Sequence, residues 1–378
     1  MRQRLLASLL CCVVLLVAFH SQAAFSQTKE ATSKALPVIL DDDGSPDGMI
    51  ALPYMLQNPK FSVKAITVTQ GEAHPDLFAR NVTRVLARLQ QTGIPVAAGR
   101  SSPLEGSNAF PTPWRTDSDN FWGVTLPEVV EPVQSIAAAE LIVQVLKQSP
   151  QPVTILATGT LTNVAEALRI DPSIASNIAR VQIMGGAIYV PGNLTELPPT
   201  DNTFAEWNIW VDPVAAQEVF SAGLPVYLTP LDATNQVKMT VADGAAWRAT
   251  GTPQGVLASD LLDWFLRVIS PSGVSNWDTV AAVNLSEPSF CEENALHLDV
   301  ITTPGSQQGR TVASNSQQPN VNVCLNPNVA ALPNGFSGIF RTPSKPVPEP
   351  DSVLGLLVMG ALGAVLWRMR PQKRTVNK

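Results

Sequence analysis

Within Val38-Ile39-Leu40-Asp41-Asp42-Asp43-Gly44-Ser45-Pro46-Asp47-Gly48 an apolar run ends in four carboxylates and two glycines. β-branched residues ahead of the acids predict a buried parallel strand, and ligands of open α/β sheets bind beyond the carboxyl ends of such strands. Packed like charges are costly unless a cation or a shared proton offsets them, so this tip suits a hard cation or a phosphate. Asp41, Asp43 and Asp47 alternate with small residues, which lets backbone and carboxylates curl around one oxygen-seeking ion, Ca²⁺ or Mg²⁺. Six to eight oxygens are needed for Ca²⁺, so later donors must join: Thr158 after Val153 to Ala157, and Asp278 after the block ending near Ile269. The competing reading makes Thr158 and Asp278 helix caps. A second polar cluster, Gly192-Asn193 followed by Thr200 to Ile209 with Glu206 and Asn208, suits the hydroxyls of a sugar.

The elements that must hold these groups alternate. Val38 to Leu40, Val63 to Val68, Val153 to Ala157, Val181 to Met184 and Val226 to Leu228 are expected strands. Met49 to Leu56, Pro75 to Leu89, Ser135 to Leu146, Asn163 to Arg169, Pro213 to Ser221 and Gly255 to Ile269 are expected helices. This order predicts an α/β fold, an open, mostly parallel doubly wound sheet with helices on both faces. Ser101 to Glu131, rich in Pro, Ser and Trp, is expected to be a long loop over the ligand end, and Thr302 to Pro333 an irregular closing segment.

Both ends carry processing signals. Arg2 and Arg4 precede an apolar run to Phe19 and small residues to Ala24, the pattern of a secretory signal peptide at 1–24, with a polar leader at 25–36. The domain is expected at 37–340, a Pro-rich linker at 341–351, a transmembrane or sorting segment at 352–367 and a basic tail at 368–378. The formal charge is −6 over 378 residues, but residues 25–350 hold 18 basic and 30 acidic side chains, a net of −12, which excludes a nucleic-acid binder. Outside the signal peptide Cys291 and Cys324 remain, either one disulfide or two buried thiols. Only His74 and His297 lie beyond residue 24, which leaves little for histidine-based catalysis.

Pro348-Glu349-Pro350, the apolar run and the basic tail resemble the C-terminal sorting signals that exosortases process in some Gram-negative bacteria. The resemblance implies export, tethering in the inner membrane through the C-terminus, and exposure in the periplasm or at the cell surface after cleavage; signal peptidase and an exosortase-type enzyme are the implied partners. A plain single-pass anchor is the alternative.

From Pro37 to about Leu285 the chain resembles the inosine-uridine preferring nucleoside hydrolase family. The pieces fall in family order: the aspartate loop, Thr158-Gly159-Thr160-Leu161-Thr162-Asn163, Met184-Gly185-Gly186, Glu206-Trp207-Asn208 and Asp278. Asp201 to Asp212, Trp277-Asp278 and Phe110-Pro111-Thr112-Pro113-Trp114-Arg115 resemble the purine-preferring branch. The resemblance implies Ca²⁺ at the carboxyl end of the sheet, a nucleoside substrate and hydrolysis of its N-glycosidic bond; a homo-oligomer is compatible with it. It implies Asp43 as general base and ligand, Asp41 as a carboxylate supporting the metal loop, Thr158 and Asp278 as ligands, Asp47, Asn193, Glu206 and Asn208 as ribose contacts, and Trp114 and Trp277 as the faces that sandwich the base.

One departure stands out. The family has a second aspartate, a metal ligand, where this chain has Gly48. Either Asp41, Asp42, a water or a neighbouring acid such as Glu72 completes the sphere, or metal affinity and activity fall. A nucleoside- or sugar-binding surface protein that has lost turnover is therefore the second reading. A third is a phosphohydrolase of the haloacid dehalogenase type, whose first motif Asp41-Asp42-Asp43-Gly44-Ser45 also resembles, with Asp41 as nucleophile and Asp43 as acid.

Overall fold

The computed structural model describes residues 35–341 apart from 129–130, 195–199 and 333. The signal peptide, most of the leader, the linker, the apolar segment and the basic tail lie outside the described residues. Among the described residues no helix is long and apolar enough to cross a membrane.

The first half of the sheet is built from β1 (Leu36–Asp42), β2 (Phe61–Val68), β3 (Val96–Ala98), β4 (Val153–Ala157), β5 (Ile178–Met184) and β6 (Val226–Thr229). The C-terminal region adds β9 (Cys291–Val300), β10 (Thr311–Ser314) and β11 (Val321–Pro327), while β7 (Lys238–Met239) and β8 (Val274–Ser275) form a separate small ribbon. The main sheet runs β10-β9-β11-β6-β5-β4-β1-β2-β3; β11 is parallel to β6, and β9 is antiparallel to β11 and to β10. The expected parallel sheet is thus present, extended by three C-terminal strands.

Two of those strands, β10 and β11, correct the expectation for Thr302 to Pro333, and β9 just ahead of it is a strand the sequence pattern did not announce. Half-exposed antiparallel strands such as Cys-Glu-Glu-Asn-Ala-Leu-His-Leu-Asp-Val mix polar and apolar residues, and lack the continuous apolar run that marks a buried parallel strand. The expected loop Ser101 to Glu131 is also not wholly loop, because Thr112–Asp119 is a helix with a proline in its first turn.

In β1 the side chains alternate across the sheet, so Val38 and Leu40 join one core and Ile39 the other. The first core is covered by α1 (Gly48–Gln57), α2 (Pro75–Arg88), α9 (Val241–Ala249), α10 (Pro253–Val268) and α11 (Trp277–Ser286). The second is covered by α4 (Ala138–Gln148), α5 (Thr162–Ile170) and α7 (Pro213–Ser221). The remaining helices are α3 (Thr112–Asp119), α6 (Trp207–Val211) and α8 (Leu231–Thr234). Cys291 and Cys324 form a disulfide between β9 and β11, which resolves the two sequence alternatives.

Strand β1 lies between β4 and β2, with Asp41 opposite Ala157 and Thr67. The helix after β1 packs on one face and those before and after β4 on the other, so the chain parts between β1 and β4. This is the switch point where an open α/β sheet leaves a crevice.

Candidate active site

A cavity of about 740 Å³ opens at this switch point. Asp43, Asp47, Glu72, Trp114, Thr158, Asn193, Glu206, Asn208, Trp277 and Asp278 all line it. Nine of the ten residues expected from sequence are therefore brought together from across more than two hundred positions, with Glu72 beside them. A second hollow, of about 450 Å³ beside Gln91 and Pro132, has Glu131 as its one ionisable lining side chain and no comparable set.

Asp43 sits just past β1 and is clasped by glycines. A Cβ on Gly71 would lie 2.2 Å from Asp43 Oδ2, and one on Gly159 would lie 2.4 Å from Asp43 Cβ. Neither glycine has a positive φ, so their small size rather than their backbone freedom is what the site uses. The Glu72 amide donates to Asp43 Oδ2 (3.2 Å), while Asp43 Oδ1 is buried without a partner.

Asp47 accepts from the Asp278 amide (2.9 Å), and Ser45 Oγ donates to Asp278 Oδ2 (2.6 Å), which joins the N-termini of α1 and α11. The cap of α11 is Asn276 and that of α5 is Leu161, so Asp278 and Thr158 are free of the capping role the competing reading gave them. Thr158 Oγ1 donates to Asp42 Oδ2 (2.8 Å) and its carbonyl accepts from Asn208 Nδ2 (3.4 Å). Glu206 is buried rather than on a solvated face; it caps α6 by accepting from the amides of Asn208 (2.9 Å) and Ile209 (3.2 Å), and also accepts from the Gly186 amide (2.9 Å). Asn193 Oδ1 accepts from the Trp207 amide (3.1 Å), leaving its amide group to the cavity.

Asp41 is the exception and corrects the sequence expectation. Its carboxylate points to the other face of the sheet, where Oδ1 accepts from Thr67 Oγ1 (2.7 Å) and Asn163 Nδ2 (2.8 Å), and it is not on the cavity wall. There it braces β1 against β2 and α5, a place beside the cavity rather than on its wall.

The electrostatics are those of an acid cluster short of positive charge. Burial first, and then neighbouring carboxylates, push Asp42 up to about 7 and hold Asp43 and Asp278 well above the usual range. Burial raises Asp47 to about 6 and Glu72 far above its ordinary value. No ion pair among the described residues reaches any of the five. Among the described residues no three His, Cys, Asp or Glu side chains form a ready-made cage, so a cation here needs carbonyl and hydroxyl oxygens as well. The unpartnered Asp43 Oδ1 and an all-oxygen donor set fit a hard divalent ion.

Aromatic rings form the outer wall. Phe110 stacks on Trp207 (4.9 Å) and touches Trp114 (6.2 Å), and Phe265 packs on Trp277 (6.1 Å). Sequence reasoning missed Trp122, Trp207, Trp264, Phe265 and Lys238, all of which line the cavity. Phe121 and Trp122 have φ of 49° and 50°, a left-handed pair of bulky residues that costs on the order of 1 to 3 kcal/mol each and marks a shaped wall. Spacing offered no signal for Trp122, Trp264, Phe265 and Lys238, which are remote in sequence from the acids, whereas Trp207 lies between Glu206 and Asn208 and that adjacency could have found it.

The fold and this crevice define an open α/β protein with an acid-floored, aromatic-walled pocket for a small molecule. Residues 38–334 match the model of the inosine-uridine preferring nucleoside hydrolases, and residues 346–370 match the PEP-CTERM protein-sorting motif. The chain belongs to the inosine-uridine preferring nucleoside hydrolase family and is an enzyme of that class. It is 42% identical over 232 residues to the pyrimidine-specific ribonucleoside hydrolase RihA of Salmonella arizonae, covering 61% of this chain and 72% of the relative. An inosine-uridine preferring nucleoside hydrolase from Bacillus anthracis superposes with a TM-score of 0.68 at 26% identity, over 81% of this chain and 97% of that one. A purine-preferring ribonucleoside hydrolase from Gardnerella vaginalis shares the fold, with a TM-score of 0.71 at 24% identity over 80% and 98% of the two chains.

Proposed function

We propose that this nucleoside hydrolase is a Ca²⁺-dependent enzyme that prefers purine ribonucleosides and works outside the cytoplasm. The observation that carries the reading is one cavity with buried carboxylates at its floor and several Trp and Phe faces at its wall, with no histidine among its lining residues. A purine offers a larger π-face than a pyrimidine, and a base protonated on a ring nitrogen as the bond breaks gains about 0.5 to 2 kcal/mol from each well-placed ring. The likeness to pyrimidine-specific relatives makes base choice the point to test.

Asp43, Asp278 and the Thr158 carbonyl would hold the ion. When bound, Ca²⁺ supplies a Lewis acid that lowers the pKa of water and helps fix the sugar hydroxyls. Asp43 takes the water proton at its free Oδ1. Asp47, Asn193, Glu206 and Asn208 orient the ribose, and their oxygens stabilise the cationic sugar as the bond from its anomeric carbon to the base nitrogen breaks. The water oxygen bonds to that carbon, and the proton leaves with the base. Trp114 and Trp277 face the base from α3 and the start of α11.

Export is part of the same proposal, supported by the sorting motif and by a disulfide suited to an oxidising compartment. Signal peptidase and an exosortase-type enzyme would process the two ends, with the protein anchored in the inner membrane at least until cleavage. The test is ribose release from inosine, adenosine, guanosine and uridine, with Ca²⁺ and with chelator, beside Asp43→Asn. Chelator-sensitive release, fastest from purines and abolished in Asp43→Asn, supports the reading; a uridine kcat/KM above those of the purines refutes the base preference. Nucleoside binding without turnover would favour the binding protein instead.

A further inference from the structure

Asp42 is the one acid of the 41–43 run that neither braces the far face of the sheet nor lines the cavity, and its place is set by a glycine. A Cβ on Gly48 would lie 1.9 Å from Asp42 Oδ2 and 2.8 Å from its Cγ, so the carboxylate occupies the volume in which any side chain at 48 would begin. Gly48 opens α1 and its φ is not positive, so no backbone requirement asks for glycine there. A glycine at a helix start that gains nothing from conformational freedom needs another reason, and the Asp42 carboxylate is that reason.

The same carboxylate is oriented from two sides. The Gly44 amide donates to Oδ1 (2.8 Å) and Thr158 Oγ1 to Oδ2 (2.8 Å). A carboxylate offers about four lone-pair directions, so two donors leave it able to accept more. Ser45 Oγ lies beside the same space, 2.9 Å from a Cβ at 48; it accepts from the Gly48 amide (2.9 Å) and in turn donates to Asp278. Position 48 is thus the hinge between Asp42 and Asp278, two carboxylates reached from opposite ends of the chain. Asp41 is committed to Thr67 and Asn163, and Glu72 lies on the Asp43 side with Ser118, so neither competes for this place.

We propose that Asp42 is a ligand of the bound cation, supplying from position 42 the carboxylate that a side chain at position 48 would otherwise bring, and that Gly48 is the space that admits it. The proposal rests on the calcium reading above and deepens it: positions 42 and 48 share one volume, and only one of them carries the acid.

The test is Ca²⁺ titration calorimetry on full-length protein stripped by chelator, with far-UV circular dichroism as the check on folding. Asp42→Asn and Asp42→Ala are expected to bind Ca²⁺ roughly 10- to 100-fold more weakly. Gly48→Asp alone is expected to bind about as poorly, because it collides with Asp42. The Asp42→Ala/Gly48→Asp double variant is expected to recover to within roughly fivefold of wild type, a non-additivity that independent sites do not give. Wild-type affinity in folded Asp42→Asn and Asp42→Ala overturns the proposal. If a single variant does not fold, the double variant still decides, since binding no stronger than in Asp42→Asn overturns it. Loss of Ca²⁺ in Asp43→Asn with retention in the Asp42 variants would sink this inference and leave the calcium reading standing; wild-type protein that binds no Ca²⁺ would sink both.

Discussion

Gly71→Ala probes how closely Asp43, the proposed general base, is held. The new methyl would sit 2.2 Å from Asp43 Oδ2 and 2.5 Å from its Cβ, where carbon–oxygen contact needs more than 3 Å. Since Asp43 is also wedged by Gly159 on another side, the carboxylate has to move by about 1 Å, and a displacement of that size costs on the order of 100-fold in rate, about 3 kcal/mol. The loss should fall in kcat with KM changed far less, because three of the four proposed ribose contacts, Asn193, Glu206 and Asn208, come from other elements, and Asp47 is held separately by the Asp278 amide. Steady-state hydrolysis of inosine, with a thermal melt to show that the fold survives, measures this. A folded Gly71→Ala with kcat within about threefold of wild type would refute the reasoning, and with it the idea that Asp43 must be placed to a fraction of an ångström.

Three further outcomes are expected. In chelated protein the folded state keeps protons on Asp41 and Asp42, raised to about 7, that the unfolded chain releases above about 4, so stability should fall as pH rises from 4 through 7, by up to about 1.4 kcal/mol per pH unit for each group. Added Ca²⁺ should raise the melting temperature more at pH 8 than at pH 5, and chelated protein whose melting temperature climbs between pH 5 and 7 would contradict this. Gly244→Ala in α9 places a methyl at ordinary contact distance, 3.5 Å from Leu262, and should stabilise by roughly 0.5 to 1 kcal/mol in urea melts; destabilisation would mean that the helix there is not as described. Replacing Cys291 and Cys324 together by serine opens a link between residues 33 apart and should lower unfolding free energy by about 2 to 4 kcal/mol, again read in urea, with no change expected from reductant in that variant.

Much of this protein is legible in one dimension because its strands and acidic loop are local. Three β-branched or apolar residues followed by Asp-Asp-Asp-Gly announce a buried strand end, and the helical periods between the strands force a doubly wound sheet. Pro-Glu-Pro before an apolar run and a basic tail is equally local and matches a sorting motif. Tertiary structure alone decided what depends on which face a residue takes. Alternation along β1 turns Asp41 to Thr67 and Asn163 and Asp42 to Gly48, so adjacent identical residues acquire different roles. The C-terminal strands β9 to β11 were hidden by their mixed polarity, and the rings of Trp122 and Trp264 by their distance in sequence from the acids. The fit of Asp42 into the space left by Gly48 is a matter of ångströms between residues six apart in the chain; composition and spacing record both residues, but only the packed loop shows that they share one volume.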